Sequence, residues 1–301
     1  ETDAHFVHNQ SNLPHAYAEV GQTDGFAFDV FFLVGGDFAA SKAHMTRPDV
    51  IYNNVISAEV LAHEGHAAAI HEIAAYFDVP LINPPAQCLR HSRFANYERI
   101  GSQPHFFFPK TRRFDAGFDV DDAARNITAT FQWPVILRDP FGHMGGLMTR
   151  AQNRPDLVKA LAQLEHRGAY AIQYYDYPQS DGLYYRYRMF KIGDAVFASR
   201  IHVAKGWNVH GAEHDALKTA QPDLNLAALE QQFWEQPTTL VPPATWEALE
   251  RMLRDTGADT IGCDFTLAPD GRALIFEVNG SMHVPIKGRR AFEQLCGFEP
   301  E

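Results

Sequence analysis

The sequence predicts a mixed α/β protein, in which short apolar strands alternate with amphipathic helices. Apolar runs occur at residues 26–34, 50–55 and 79–82, and the first and third are closed by Gly or Pro. Apolar residues at helical spacing fill the segment 58–77, between the last two runs. Near the C-terminus, two strand-like segments flank the turn sequence Pro-Asp-Gly-Arg at 269–272. Strands and helices are therefore interspersed along the chain.

Composition narrows the class of protein further. The 301 residues are 46% hydrophobic and 21% charged, as in a folded chain with room for two domains. A net charge of −11 disfavours nucleic acid as a partner, because phosphate binding needs a surplus of Lys and Arg. The three cysteines, Cys88, Cys263 and Cys296, are odd in number and widely spaced in the sequence, which disfavours a disulfide framework. We therefore expect a cytoplasmic protein. With no apolar run of 18 residues and no signal-like start, we expect neither a membrane span nor a leader.

The order strand, helix, strand within residues 50–82 predicts parallel strands joined by a right-handed crossover. We therefore predict a Rossmann-like domain over residues 1–92.

A glycine-rich loop follows the next predicted strand. The strand at 133–137 runs into Arg138 and then into a segment that contains Gly142, Gly145 and Gly146. Glycines at this density allow a backbone to approach a ligand closely. Beyond the loop, the pattern predicts a helix at 155–165, strands at 170–175, 184–190 and 195–201, and a helix at 245–255.

The C-terminal hairpin is the most informative segment. Its predicted strands are 261–267 and 273–279, and an even-numbered loop centred on Asp270 and Gly271 places Asp264 directly opposite Glu277. Asn279 then shares a face with Glu277.

Two opposed carboxylates need compensation, since like charges at about 4.5–5.5 Å destabilise a strand pair. A divalent cation provides it, and two carboxylates with an amide oxygen suit Mg²⁺ or Mn²⁺. The alternative is a strand face whose acids meet arginines, and a three-residue loop would shift the register and separate the pair.

These residues resemble the ATP-grasp superfamily, whose metal-binding hairpin carries an Asp and then Glu-x-Asn, here Asp264, Glu277 and Asn279. The strand ending at Arg138, its glycine loop and the segment at 171–176 are similar to the family's phosphate loop and adenine hinge, in the same order. The resemblance implies an ATP-grasp fold with subdomains at 93–172 and 173–301.

The resemblance also implies site residues, with ATP and Mg²⁺ (or Mn²⁺) as cofactors. The ribose contact is either Asp181 or Asp176, and Arg200 stabilises the transferring phosphoryl group. Arg188, Lys205 and Lys287 are candidates for a substrate carboxylate. Asp264, Glu277 and Asn279 hold the metal, and the implied nucleotide contacts are Arg93, Arg138, Gly142, Gly145, Gly146, Gln173, Tyr174 and Tyr175.

Three positions depart from the family pattern. Members usually have Lys where this chain has Arg93 and Arg138, and Glu where it has Gln173. Arginine keeps the charge and adds a bidentate donor set. The amide oxygen of Gln173 can still accept a hydrogen bond from an adenine amino group.

The resemblance implies a ligase that activates a carboxylate as an acyl phosphate and joins it to an amine, both from small molecules or peptides. Two alternatives stay open: a nucleotide-binding module without turnover, which the Arg and Gln replacements favour, and an ATP-grasp kinase. The oligomeric state is open as well, with a homodimer among the alternatives.

Overall fold

The structure is a computed structural model. It describes residues 47–53, 57–62, 65–142 and 148–280, together with residues 282, 291, 294 and 295. The predicted strand at 26–34, Gly145, Gly146 and Lys287 lie outside the described residues.

The described N-terminal part contains a parallel strand pair, as predicted. Strands β1 (Ile51–Tyr52) and β2 (Leu81–Ile82) pair in parallel. The prediction of one helix over 58–77 is wrong, because α1 (Ala58–Leu61) and α2 (His66–Phe77) are separate helices. Gly65 precedes α2 with a φ of 74°, a left-handed conformation that interrupts a helix. The Rossmann-like domain and the limits at 92 and 172 stay predictions.

A five-stranded sheet is built mainly from the C-terminal half of the chain. In order across the sheet, its strands are β3 (Phe106–Phe107), β11 (Ala273–Asn279), β10 (Thr260–Leu267), β8 (Tyr184–Ile192) and β9 (Ala195–Ala204). The pairs are antiparallel except β3 with β11. One face packs on helices that bury Phe233, Trp246 and Leu249. The positions of β8, β9, β10 and β11 agree with prediction to within a few residues. Strand β3 was not predicted.

A four-stranded antiparallel sheet lies in the middle of the chain, in the order β4-β7-β5-β6. One face packs on two helices through a core that includes Ile127, Leu157 and Leu161. Its strands are β4 (Thr111–Phe114), β5 (Val135–Arg138), β6 (Met148–Ala151) and β7 (Ala169–Gln173).

The remaining helices cover the sheets or join them. None of the described helices is long and apolar enough to cross a bilayer. Cys88 and Cys263 are buried free thiols. The helices are α3 (Pro85–Cys88), α4 (Arg93–Ile100), α5 (Val120–Thr130), α6 (Arg154–Leu164), α7 (Gly211–Ala220), α8 (Leu226–Glu235) and α9 (Pro243–Arg254).

Candidate functional site: a pocket between two sheets

A pocket lies between the faces of the two larger sheets that carry no helices. It encloses about 1010 Å³ of space, part of it open to solvent. Apolar side chains from both sheets line it together with a group of charged side chains. The apolar group is Ile136, Met148, Ile172, Leu274 and Phe276, and the charged group is Arg93, Arg138, Arg186, Asp264 and Glu277.

The predicted opposition of Asp264 and Glu277 is confirmed. The even-numbered loop is wrong, because the hairpin closes at Leu267 and Ala273 around a five-residue loop. Such a loop alone would shift the pairing by one residue. A β-bulge at Phe276 restores it, since Asp264 pairs with Glu277 while Phe265 already pairs with Ile275.

Arg188, on the neighbouring strand, compensates the charge of Asp264. Its Nε and Nη2 donate to Asp264 Oδ1 and Oδ2 at 2.6 and 2.8 Å. The two residues are register partners of β8 and β10. Burial raises the pKa of Asp264, but the charge and hydrogen bonds of Arg188, with the charge of Arg186, outweigh it and lower that pKa to about 2. Asp264 is therefore ionised at neutral pH.

Arg93 compensates Glu277 from a different part of the chain. Its Nη2 donates to Glu277 Oε1 at 2.9 Å, and its Nη1 donates to the carbonyl of the bulge residue Phe276 at 2.9 Å. Burial raises the pKa of Glu277, but Arg93 and Arg138 lower it below its usual range. Guanidinium groups thus pair both opposed carboxylates, as in the alternative considered from the sequence.

A buried carboxylate holds Arg93 in place. Glu59 Oε1 accepts from the Arg93 backbone N–H at 3.1 Å and from the Tyr170 hydroxyl at 2.8 Å. Glu59 comes from α1 and Tyr170 from β7, so this contact joins three segments distant in sequence.

Arg138 ends β5 at the start of the glycine loop. Its Nη2 donates to the Gly142 carbonyl at 2.9 Å. Burial, and then the positive charge of Arg93, lower its pKa to about 10. Asp139 orders the loop by accepting from the Phe141 N–H at 2.9 Å. The carboxylates of Glu277, Glu59 and Asp139 partly offset the lowering of the Arg138 pKa.

The hinge residues line the pocket, but the side chain of Gln173 is engaged elsewhere. Its Oε1 accepts from Gln132 N at 2.9 Å and its Nε2 donates to Gln132 O at 3.0 Å. Tyr174 and Tyr175 line the pocket. The Tyr174 hydroxyl donates to Asp176 Oδ1 at 2.7 Å.

Both candidates for a ribose contact are bound by tyrosines. Asp176 Oδ1 also accepts from the Tyr184 hydroxyl at 2.7 Å, and the hydrogen bonds from Tyr174 and Tyr184 lower its pKa. Asp181 Oδ2 accepts from the Tyr185 hydroxyl at 2.7 Å. Neither aspartate belongs to the pocket lining, whereas Tyr184 and Tyr185 do. The choice between the aspartates stays open.

Arg200, expected at the transferring phosphoryl group, and Lys205, expected at a substrate carboxylate, lie apart from the predicted site residues that line the pocket. Arg200 lies directly opposite Arg188 on β9, with an exposed side chain. Lys205 is exposed in the segment after β9. Neither is part of the pocket lining.

Three further residues of the wall had been considered from the sequence without being placed in the predicted site. The resemblance counts Arg186 among the basic residues that reach phosphates or substrate, and Arg186 lines the pocket and pairs with His202 across β8 and β9, donating to His202 Nδ1 at 2.7 Å. Trp207 and His210 were candidates for an active-site loop, with packing as the alternative for Trp207, and both line the pocket from the segment before α7.

The chemistry of the donors suits a hard divalent cation. An ionised carboxylate offers about four acceptor positions, so the two bonds from Arg188 leave positions on Asp264. The bonds to Glu277 from Arg93 and from Asn279 Nδ2 (3.5 Å) converge on Oε1. Across the described part of the chain, no group of three or more His, Cys, Asp and Glu side chains is placed to hold a metal. The candidate ligand set for a divalent cation consists of the carboxylates of Asp264 and Glu277 and the amide of Asn279.

The pocket thus lies between a mixed five-stranded sheet and an antiparallel four-stranded sheet, with paired acids on one wall. No family model matches the chain, and no curated protein matches its sequence. Solved structures do match. Carboxyaminoimidazole ribonucleotide synthase from Aspergillus clavatus, complexed with ATP, aligns over 95% of this chain and 69% of its own, at 14% identity and a TM-score of 0.54.

Two ligases match as well. The D-alanine–D-alanine ligase from Coxiella burnetii aligns over 83% of this chain and 68% of its own, at 8% identity and a TM-score of 0.53. A D-Ala:D-Ser ligase from Enterococcus faecalis aligns over 83% and 72%, at 12% identity and a TM-score of 0.52. The chain has the ATP-grasp fold, as the resemblance implied.

Proposed function

We propose that this protein is an ATP- and Mg²⁺-dependent ligase that activates a carboxylate as an acyl phosphate and joins it to an amine. The observation that carries the proposal is the pocket, whose lining combines apolar side chains, a cluster of guanidinium groups and two ionised carboxylates. The structural neighbours are named as ligases or, in one case, as a synthase complexed with ATP.

The reaction has two steps. A carboxylate oxygen attacks the γ-phosphorus of ATP, the bond from that phosphorus to the ADP oxygen breaks, and ADP leaves with the electron pair. The amine nitrogen then attacks the acyl carbon, the carbon–oxygen bond to phosphate breaks, and the amine loses a proton. Such transfers require positioning and charge neutralisation above all.

The side chains divide these tasks. Arg93, Arg138 and Arg186 bind the phosphates, and the apolar side chains of the pocket bind the base. Asp264, Glu277 and Asn279 would hold Mg²⁺, which when bound neutralises phosphate charge. We assign the stabilisation of the transferring phosphoryl group to Arg200 and the binding of the substrate acid to Lys205, whereas Arg188 orients Asp264 through its bidentate contact.

A nucleotide-binding module without turnover is the second candidate. The observation that favours it is that Arg188 and Arg93 already compensate both carboxylates. Such a pocket is electrically balanced without a metal ion and can bind a nucleotide through its guanidinium groups alone.

Thermal unfolding with ATP, with and without Mg²⁺, tests the binding step. Ligand at 100 times its Kd adds about 2.7 kcal/mol to the free energy of unfolding. We expect Glu277→Gln to lose the Mg²⁺-dependent part of this stabilisation, and the exposed control Glu247→Gln to retain it. An equal response in Glu277→Gln would contradict the assignment of the metal ligand.

Turnover separates the two candidates. A ligase forms ADP only when a suitable acid and amine are both supplied, so a screen of acid–amine pairs with ADP as the readout is the direct test. Saturable ATP binding with no ADP formed from any pair would favour the module.

A further inference from the structure

The hydroxyl group of Thr266 is a buried polar group in the pocket wall. The residue is 4% exposed, and Oγ1 has no hydrogen-bond partner within the described residues. Leaving a buried hydroxyl unpaired costs about 1–3 kcal/mol. Valine has nearly the same shape and would fill this strand position without that cost. The hydroxyl therefore calls for a partner beyond the described residues, and its place in the pocket wall favours a bound ligand.

The register of the hairpin fixes where this hydroxyl lies. Thr266 is two residues beyond Asp264 on β10, so it is on the same face of the sheet, about 6.6–6.8 Å further along. Its partner on β11 is Leu274, an apolar residue of the pocket lining. Thr266 thus lies between a charged residue and an apolar residue of the pocket wall.

We propose that the Thr266 hydroxyl hydrogen-bonds the nucleoside half of the bound nucleotide and determines part of the specificity for it. This inference rests on the proposed function, because the proposed function places the phosphates beside the arginines and the base among the apolar side chains of the pocket. A hydroxyl in an otherwise apolar wall discriminates well, since a ligand that lacks its partner atom leaves it unpaired.

The test compares Thr266→Val with Thr266→Ser by calorimetric titration of ATP and by thermal unfolding. Thr266→Val weakens ATP binding by about fivefold to tenfold, while Thr266→Ser keeps most of the affinity. Without nucleotide, Thr266→Val has a higher Tm than the wild type because it buries no unpaired hydroxyl. In the control, Thr245→Val, the lost hydroxyl donates to the Gly271 carbonyl at 2.8 Å. Its Tm falls and its Kd for ATP is unchanged.

Analogues that remove polar atoms of the nucleoside one at a time identify the contact: 2′-deoxy-ATP and 3′-deoxy-ATP for the sugar, and desamino and deaza analogues for the base. The wild type binds one of them as weakly as Thr266→Val binds ATP, and Thr266→Val does not distinguish that analogue from ATP. If Thr266→Val binds ATP with wild-type affinity, or if every analogue is discriminated equally by both proteins, this inference is overturned while the ligase proposal stands. If the wild type binds no nucleotide, both are overturned.

Discussion

The two walls of the pocket are built from sheets of the same kind, yet they carry different chemistry. On the five-stranded sheet, Asp264 and Arg188 are partners on adjacent strands, and Glu277 is held from outside the sheet by Arg93. On the four-stranded sheet, apolar side chains dominate, and the cation that faces the pocket from its strands, Arg138, stands at a strand end.

The difference shows where precision is required. On the charged wall, strand register sets the pairing of Asp264 with Arg188 and with Glu277, so a slip of one residue would separate both pairs. On the apolar wall, side chains of similar size substitute for one another at small cost. We therefore expect substitutions on the charged wall to affect the fold itself, and those on the other wall to affect mainly the ligand.

The largest effect is expected from Asp264→Asn. The change leaves Arg188 buried without its counter-ion, and breaking a buried pair in this way costs about 3–5 kcal/mol. Denaturant unfolding monitored by fluorescence measures the loss. The exposed pair of Arg272 and Asp270 is the matched control, with an Nε to Oδ2 distance of 2.7 Å. Asp270→Asn should leave the unfolding midpoint unchanged, and equal losses in both variants would remove the contrast between buried and exposed pairs.

Arg138→Met should weaken ligand binding and leave the fold intact. Its described contact is one bond to the Gly142 carbonyl, so stability should fall by about 1 kcal/mol. A charge-assisted bond to phosphate contributes about 1.5–3 kcal/mol, and we expect the Kd for ATP to rise roughly tenfold to a hundredfold. Titration calorimetry measures this, with Arg112→Met on the exposed part of β4 as control. A large loss of stability in Arg138→Met, together with an unchanged Kd for ATP, would contradict the proposal that Arg138 serves ligand binding more than the fold.

The third effect is seen only on acidification and concerns the strand positions beside the carboxylates. Burial, then the charges of Arg186 and Arg188, lower the pKa of His202 to about 3. Because its ordinary value is about 6.5, the unfolded chain takes up the proton first, and stability falls as the pH drops from 6.5 towards 3. One such group contributes a slope of up to about 1.4 kcal/mol per pH unit.

His202→Asn removes this titration and should flatten the pH dependence of the free energy of unfolding between pH 7 and pH 4. His91, whose pKa burial and Arg99 lower to about 4, keeps a slope of the same sign in the variant. Exposed His166 supplies the control His166→Asn. An unchanged slope in His202→Asn would mean that Arg186 does not face a neutral imidazole.

The sequence predicted the hairpin better than it predicted the loop that closes it. Alternation and turn residues are local signals, so the strands around Gly193 and around Asp270 were placed to within a few residues. The bulge at Phe276 has no such signal, because it depends on Arg93 binding the Phe276 carbonyl from another part of the chain. The pairing of Asp264 with Glu277 was thus predicted correctly from a loop of the wrong length.

The amino-acid sequence by itself determined the mixed α/β class, the two strands of the C-terminal hairpin and the order of the elements around the pocket, because each follows from residues close together along the chain. Only the tertiary structure decided the bulge that sets Asp264 opposite Glu277, how those acids are compensated, that the Gln173 amide holds the Gln132 backbone, and that Thr266, whose hydroxyl has no partner among the described residues, lies in the pocket wall. These features depend on contacts between distant segments, and only packing brings such segments together.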